Sequence, residues 1–128
     1  MANSVVHFEI PADDIERARA FYQGAFGWTV ETYPGMDYTG VTTAEVDQQT
    51  RLPLEPGTIN GGMFQRSSQL NATVLTIGVD DIDAALEAVE KHGGKTLRGR
   101  EAVADMGFTG YFTDPEGNVV GLWQSARA

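Results

Sequence analysis

Residues 5–15 read Val5-Val6-His7-Phe8-Glu9-Ile10-Pro11-Ala12-Asp13-Asp14-Ile15, and residues 73–82 read Thr73-Val74-Leu75-Thr76-Ile77-Gly78-Val79-Asp80-Asp81-Ile82. Each stretch is a short alternating strand that runs into two aspartates and an isoleucine. In the first, Val6, Phe8 and Ile10 face one side of the strand, while Val5, His7 and Glu9 face the other. In the second, Leu75, Ile77 and Val79 repeat Phe8, Ile10 and Ala12, 67 residues later. Helical spacing follows both times. Ile15, Ala18, Phe21, Tyr22 and Ala25 form one apolar stripe; Ile82, Ala85, Leu86 and Val89 form the other. Asp13 is the expected N-cap of the first helix, with Glu16 three residues on as a variant capping box. Gly24 and Gly27 weaken and end that helix, and His92-Gly93-Gly94 ends the second.

The parallel continues outward. Tyr38-Thr39-Gly40-Val41-Thr42-Thr43 aligns with Phe108-Thr109-Gly110-Tyr111-Phe112-Thr113 at an offset of 70. Gly62-Met63-Phe64-Gln65 aligns with Gly121-Leu122-Trp123-Gln124 at 59. Matches in the same order, with offsets drifting as loops differ, indicate a duplicated unit. Each unit is a strand, a helix and three strands, with turn chemistry at Pro34-Gly35 and at Asp114-Pro115-Glu116-Gly117-Asn118. The polar stretch from Asp47 to Gly57 is expected to be a mobile loop.

The expected fold is α+β: two tandem βαβββ units forming a curved mixed sheet around a concave pocket, with the helices outside. The 128 residues make a single domain, unit one covering about 4–66 and unit two about 72–125. The pocket face would carry His7, Glu9, Asn60, Gly62, Phe64, Thr76, Val119, Gly121 and Trp123.

Composition narrows the function. The chain has no cysteine, which removes disulfides, thiolate metal sites and cysteine nucleophiles. Its net charge of −9 argues against nucleic acid as a partner and permits a cationic ligand. No apolar run approaches the roughly 20 residues that cross a bilayer, so no membrane partner is expected. Residues 1–10 carry no basic segment followed by an apolar core, and a cytoplasmic location is the expectation. Gly93-Gly94-Lys95-Thr96 ends a helix instead of opening one, so it is a helix stop and not a phosphate loop. Neither a Gly-x-Ser-x-Gly elbow nor a His-Glu-x-x-His pair occurs.

The opening run from Val6 to Asp14, with Phe21-Tyr22 and Phe26-Gly27-Trp28, resembles the start of a vicinal oxygen chelate protein. Phe112-Thr113-Asp114-Pro115-Glu116-Gly117-Asn118-Val119-Val120-Gly121-Leu122-Trp123 resembles its closing hairpin. That superfamily includes glyoxalase I, bleomycin-binding proteins and extradiol dioxygenases. The resemblance spans Val5 to Gln124 and is nearest to glyoxalase-related bacterial single-domain proteins of unassigned activity. It implies a homodimer, and in the metalloenzymes a metal ligand from the first and last strand of each unit. Those positions here are His7 and Gly62, then Val74 and Gly121. Only His7 has a donor side chain. A catalytic divalent site takes about three protein ligands, so no metal cofactor is expected.

Two functions follow, beside a third reading as a structural subunit or regulator whose concavity is vestigial. One is a metal-independent small-molecule-binding protein of the glyoxalase and bleomycin-resistance type, whose pocket takes an aromatic or cationic ligand. Phe64 and Trp123 would stack on a planar group, and Glu9 would answer a cation. The other is a glyoxalase-related lyase or isomerase using His7 and Glu9 as an acid–base couple, with or without a weakly bound divalent metal. In that reading Glu9 raises the His7 pKa. The bland alternative is that both residues only line a polar pocket.

Overall fold

The computed structural model describes residues 2–33 and 38–126 of the chain. Its elements run β1 (Val5–Ala12), α1 (Ile15–Phe26), β2 (Thr29–Thr32), β3 (Thr39–Thr42), β4 (Gly61–Gln65), β5 (Val74–Gly78), α2 (Ile82–Lys91), β6 (Lys95–Val103), β7 (Gly107–Thr113) and β8 (Val119–Ser125). The βαβββ plan therefore occurs twice, as expected, and the class is α+β. Two compact units result: His7–Thr73, and residues 74–126 together with 2–6. The Pro34-Gly35 turn lies outside the described residues.

In the first unit the strands lie in the order β2-β3-β4-β1. β1 is parallel to β4, and the other two pairings are antiparallel, so the sheet is mixed. One face carries Ala12, Val30, Val41 and Met63, all buried, with Phe8, Ile15, Ala18, Tyr22 and Trp28 packed on them. This is the face under α1. The Tyr22 ring stacks on Trp28 at 4.9 Å between centroids and 5° between planes, closing the core at the end of the helix.

The helix begins one residue later than its sequence suggests. Asp14 is the N-cap, with extended backbone and its carboxylate accepting from the Arg17 N–H at 3.0 Å. Asp13 instead places its backbone carbonyl on the Gln65 amide and its carboxylate 3.3 Å from Arg66. Gly27 closes α1 in the left-handed conformation, φ 72°, that its lack of a Cβ allows.

The second unit repeats the plan in the order β5-β8-β7-β6, again with one parallel pairing, β5 with β8. Ile82, Leu86 and Leu122 form its core, with Ile77, Val79, Ala85, Phe108 and Phe112 around them. Asp81 caps α2 as Asp14 caps α1, accepting from the Ala84 N–H at 3.2 Å. The Gln124 side chain accepts a second first-turn N–H, that of Ile82, at 2.9 Å. Residues 2–6 pack here: the Gly78 N–H donates to the Ser4 carbonyl, and Val6 lies against Gly78. Among the described residues no helix is long and apolar enough to cross a membrane.

The stretch from Asp47 to Gly57, expected to be a loop, carries no helix or strand and is built on turns. The Asp47 carboxylate accepts the Gln49 and Thr50 N–H groups, and Val46 bridges Pro53.

Candidate functional site

In each unit one sheet face is taken by the helix, and the alternation of strands sends the remaining side chains to the other. Paired residues on neighbouring strands share a face, so registers define the rows of this free face. In the first unit one row reads Glu9, Gly62, Gly40, Glu31 across β1, β4, β3 and β2. In the second the matching row reads Thr76, Gly121, Tyr111, Arg98 across β5, β8, β7 and β6. The 67 and 59 offsets read from the sequence are reproduced in these rows. The middle strand is not: Gly40 corresponds to Tyr111, one residue beyond the offset of 70. This slip sends Tyr111 to the free face and Gly110 under the helix, where its Cα approaches Ile82.

The two adjacent glycines of the first row make a floor. A Cβ on Gly62 would meet the Tyr38 hydroxyl at 2.8 Å, and one on Gly40 would meet the Tyr33 ring at 3.0 Å. The two tyrosine rings are parallel, 6.2 Å apart and 7° from coplanar. A side chain at either position would have to push a tyrosine ring aside. Burial, then the nearby Glu9 carboxylate, then Tyr33 push the Tyr38 phenol up to about 12. It is a neutral donor at any physiological pH.

His7 and Glu9 share this face of β1, both half-buried. Burial pushes the His7 imidazole down to about 4, opposite to the rise expected from a neighbouring carboxylate. Desolvation disfavours the charged ring, and Glu9, two residues along the strand, does not offset it. His7 is thus a neutral imidazole near pH 7. Phe64 reaches the same face, opposite Pro11. Asn60 is committed elsewhere. Its side-chain oxygen accepts the Thr43 and Ala44 N–H groups at 2.7 and 2.9 Å, and its amide donates to the Ala44 carbonyl at 3.1 Å.

In the second unit Thr76 is 4% exposed, and its hydroxyl has no hydrogen-bond partner among the described residues. It leans over Gly121, 3.0 Å from where a Cβ would stand, with Tyr111 and Val74 at 3.4 Å. Trp123, opposite Thr109 and Gly78, lays its indole on Gly107. The Arg98 guanidinium stands 5.9 Å from the Tyr111 ring centroid.

The donor set at the four family ligand positions does not fit a divalent metal. Val74 and both glycines lack donors, and a hydroxyl fills the space over each glycine. Among the described residues no three His, Asp or Glu side chains converge.

Tyr33, Tyr38, Tyr111 and Arg98 were not singled out as pocket residues from sequence. Tyr38 is in phase with Gly40, which was a usable signal once Gly40 was known to face Gly62. Arg98 lies between two register shifts of β6, where alternation gives no guide.

The family described as the Glyoxalase/Bleomycin resistance protein/Dioxygenase superfamily matches residues 4–122. The chain is 30% identical over 123 residues to "Putative glyoxylase CFP32" of Mycobacterium tuberculosis, covering 93% of this chain and 44% of that protein. The chain thus spans less than half the length of that relative. It is 36% identical over 93 residues to a glyoxylase-like domain-containing protein of Didymella fabae, covering 70% and 67% of the two. Among solved structures, Streptomyces coelicolor methylmalonyl-CoA epimerase in complex with 2-nitronate-propionyl-CoA superposes with a TM-score of 0.67 at 14% identity, over 100% and 98% of the chains. A methylmalonyl-CoA epimerase in complex with methylmalonyl-CoA and ammonium gives 0.66, also at 14%, over 99% and 97%. At that identity the likeness is one of fold.

Proposed function

Because the chain belongs to the glyoxalase, bleomycin resistance protein and dioxygenase superfamily, we propose that it is a metal-independent small-molecule-binding protein, taking an aromatic or cationic ligand on the free face of its first unit and acting as a cytoplasmic homodimer. The observation that carries this reading is the grouping of Glu9 with the Tyr38 ring over Gly62 and its parallel neighbour Tyr33. Flat aromatic faces beside one carboxylate suit an organic cation, held by ring quadrupole and charge together. Phe64, on the same face, adds apolar area for a planar ligand.

The lyase or isomerase alternative draws no comparable support. A general base works best with a pKa near the operating pH, and His7 sits at about 4. As a neutral ring it is suited to hydrogen-bonding a ligand.

Phenyltrimethylammonium is a direct probe. Titration calorimetry should show saturable binding to the wild type that is unchanged by chelator. Glu9→Gln should weaken it about tenfold, the order of a partly desolvated charge contact. Equal binding by wild type and Glu9→Gln would remove the cation reading. Turnover lost in His7→Ala with binding retained would favour the enzyme.

A further inference from the structure

The two helices of the duplicated plan are not covered alike. α2 buries Ile82 and Leu86 against its sheet, whereas α1 buries none of its 12 residues. The apolar stripe of α1 is wider than the sheet beneath it. Phe21, within that stripe, is 57% exposed, and Phe26, at the helix end, is 64% exposed.

Both rings are held in place. Phe21 meets Tyr22 edge-on at 5.0 Å and Phe26 at 6.2 Å, and Phe26 lies 6.0 Å from Trp28. Tyr22 and Trp28 are the stacked pair that closes the core, so the exposed rings are the outer edge of a cluster anchored inside. Little side-chain freedom is left to lose when such a surface is covered. At about 200 Å² per ring, the two exposed fractions offer roughly 240 Å² of aromatic surface. A two-fold axis doubles that to about 480 Å², close to a third of the ~1,600 Å² in a standard protein interface. Buried aromatic anchors supply most of the association energy in such contacts.

Shape and charge both favour a second copy of this chain as the partner. Ala20 and Gly24 lie exposed beside Phe21, and the space over Gly24 is open, with nothing within 4 Å of a Cβ placed there. Gly24 is one helical turn from Phe21. A knob and a shallow hole on one face fit a copy turned by 180°, each knob over the other's hole. The helix also carries two arginines, Arg17 and Arg19, against one acid, Glu16, in a chain of net charge −9. α2, with Asp83, Glu87 and Glu90 against Lys91, would meet its own copy with like charges. Self-association therefore meets less repulsion at α1 than at the other helix.

We propose that α1 is a two-fold dimer contact in which Phe21 of each copy packs over Gly24 of the other. This rests on the homodimer of the proposed function and supplies its surface.

Sedimentation velocity of the full chain over a concentration series is the test, with far-ultraviolet circular dichroism to follow the fold. Wild type should be a dimer. Phe21→Gln, at a position already more than half exposed, should keep the fold and weaken the dimer at least about a hundredfold, since the ring is lost at two symmetric places. Gly24→Leu favours the helix and fills the hole, so it should keep the wild-type spectrum and yet sediment as a monomer. Leu75→Thr removes another exposed apolar side chain, from the second unit, and should leave the dimer intact. A dimer kept by either α1 variant, or lost by folded Leu75→Thr, would overturn this surface while the homodimer itself stands. A monomeric wild type would overturn both. Phenyltrimethylammonium binding by that monomer would show that the cation site stands apart from the failure.

Discussion

At the scale of single residues, burial on the free face has consequences for pH. The His7 imidazole has its pKa lowered from 6.5 to about 4 in the folded chain. Between those values the unfolded chain binds a proton that the folded chain does not, so stability falls as pH drops from 6.5 towards 4 and levels off below. From pH 7 to pH 5 the loss should be about 2 kcal/mol. Tyr38 acts at the other end: its phenol is raised to about 12, so the folded chain holds a proton the unfolded chain loses above 10. Stability should decline again between pH 10 and 12. Urea unfolding of wild type and His7→Gln at pH 7 and pH 5 tests the acidic arm. The variant should lose most of the difference; an unchanged slope would assign it to carboxylates instead.

At the scale of elements, both helices start at the second aspartate of their Asp-Asp-Ile sequence, Asp14 and Asp81. The repeat was plain in the sequence, but the cap was assigned one residue early in the first copy. An aspartate and an isoleucine are both compatible with the first turn, so spacing alone does not separate Asp13 from Asp14. The hydrogen bond does, since only Asp14 reaches Arg17. Removing a cap costs about 1 kcal/mol. Asp14→Ala and Asp81→Ala should each lower the melting temperature by roughly 3–5 °C, with Asp13→Ala losing only an exposed ion pair. A larger loss in Asp13→Ala than in Asp14→Ala would contradict the geometry. The strands show the same division. Period-2 alternation sorted β1, β4, β5 and β8 onto their faces, and with them His7, Glu9, Gly62, Thr76, Gly121 and Trp123. It had nothing to say about β6, whose two register shifts bring Arg98 opposite Tyr111, and it counted Asn60 with Gly62 and Phe64 on the pocket face, although Asn60 sits just before β4 and its side chain bonds to the backbone at 43–44.

At the scale of the molecule, duplication makes the fold easy to read and leaves the chemistry to be set position by position. The two units share their strand order and core pattern, yet the rows Glu9-Gly62-Gly40-Glu31 and Thr76-Gly121-Tyr111-Arg98 differ in charge at both ends. One row is acidic under tyrosine rings; the other ends on Arg98 beside the Tyr111 ring. The metal question follows from the same rows. A glycine whose Cβ space holds a hydroxyl cannot gain a ligand without displacing it, and this holds in both units. An ion bound to the folded state at a hundred times its dissociation constant would add about 2.7 kcal/mol and raise the melting temperature by roughly 8–12 °C. Nickel, zinc, manganese and iron(II) should therefore leave the melting temperature of tag-free protein unchanged, and dialysed protein should retain no stoichiometric metal on elemental analysis. A chelator-reversible rise of several degrees with any of these ions would mean that donors other than the four family positions hold it. The enzyme reading would then return with a metal to supply the electrophile that His7, neutral and weakly basic, does not.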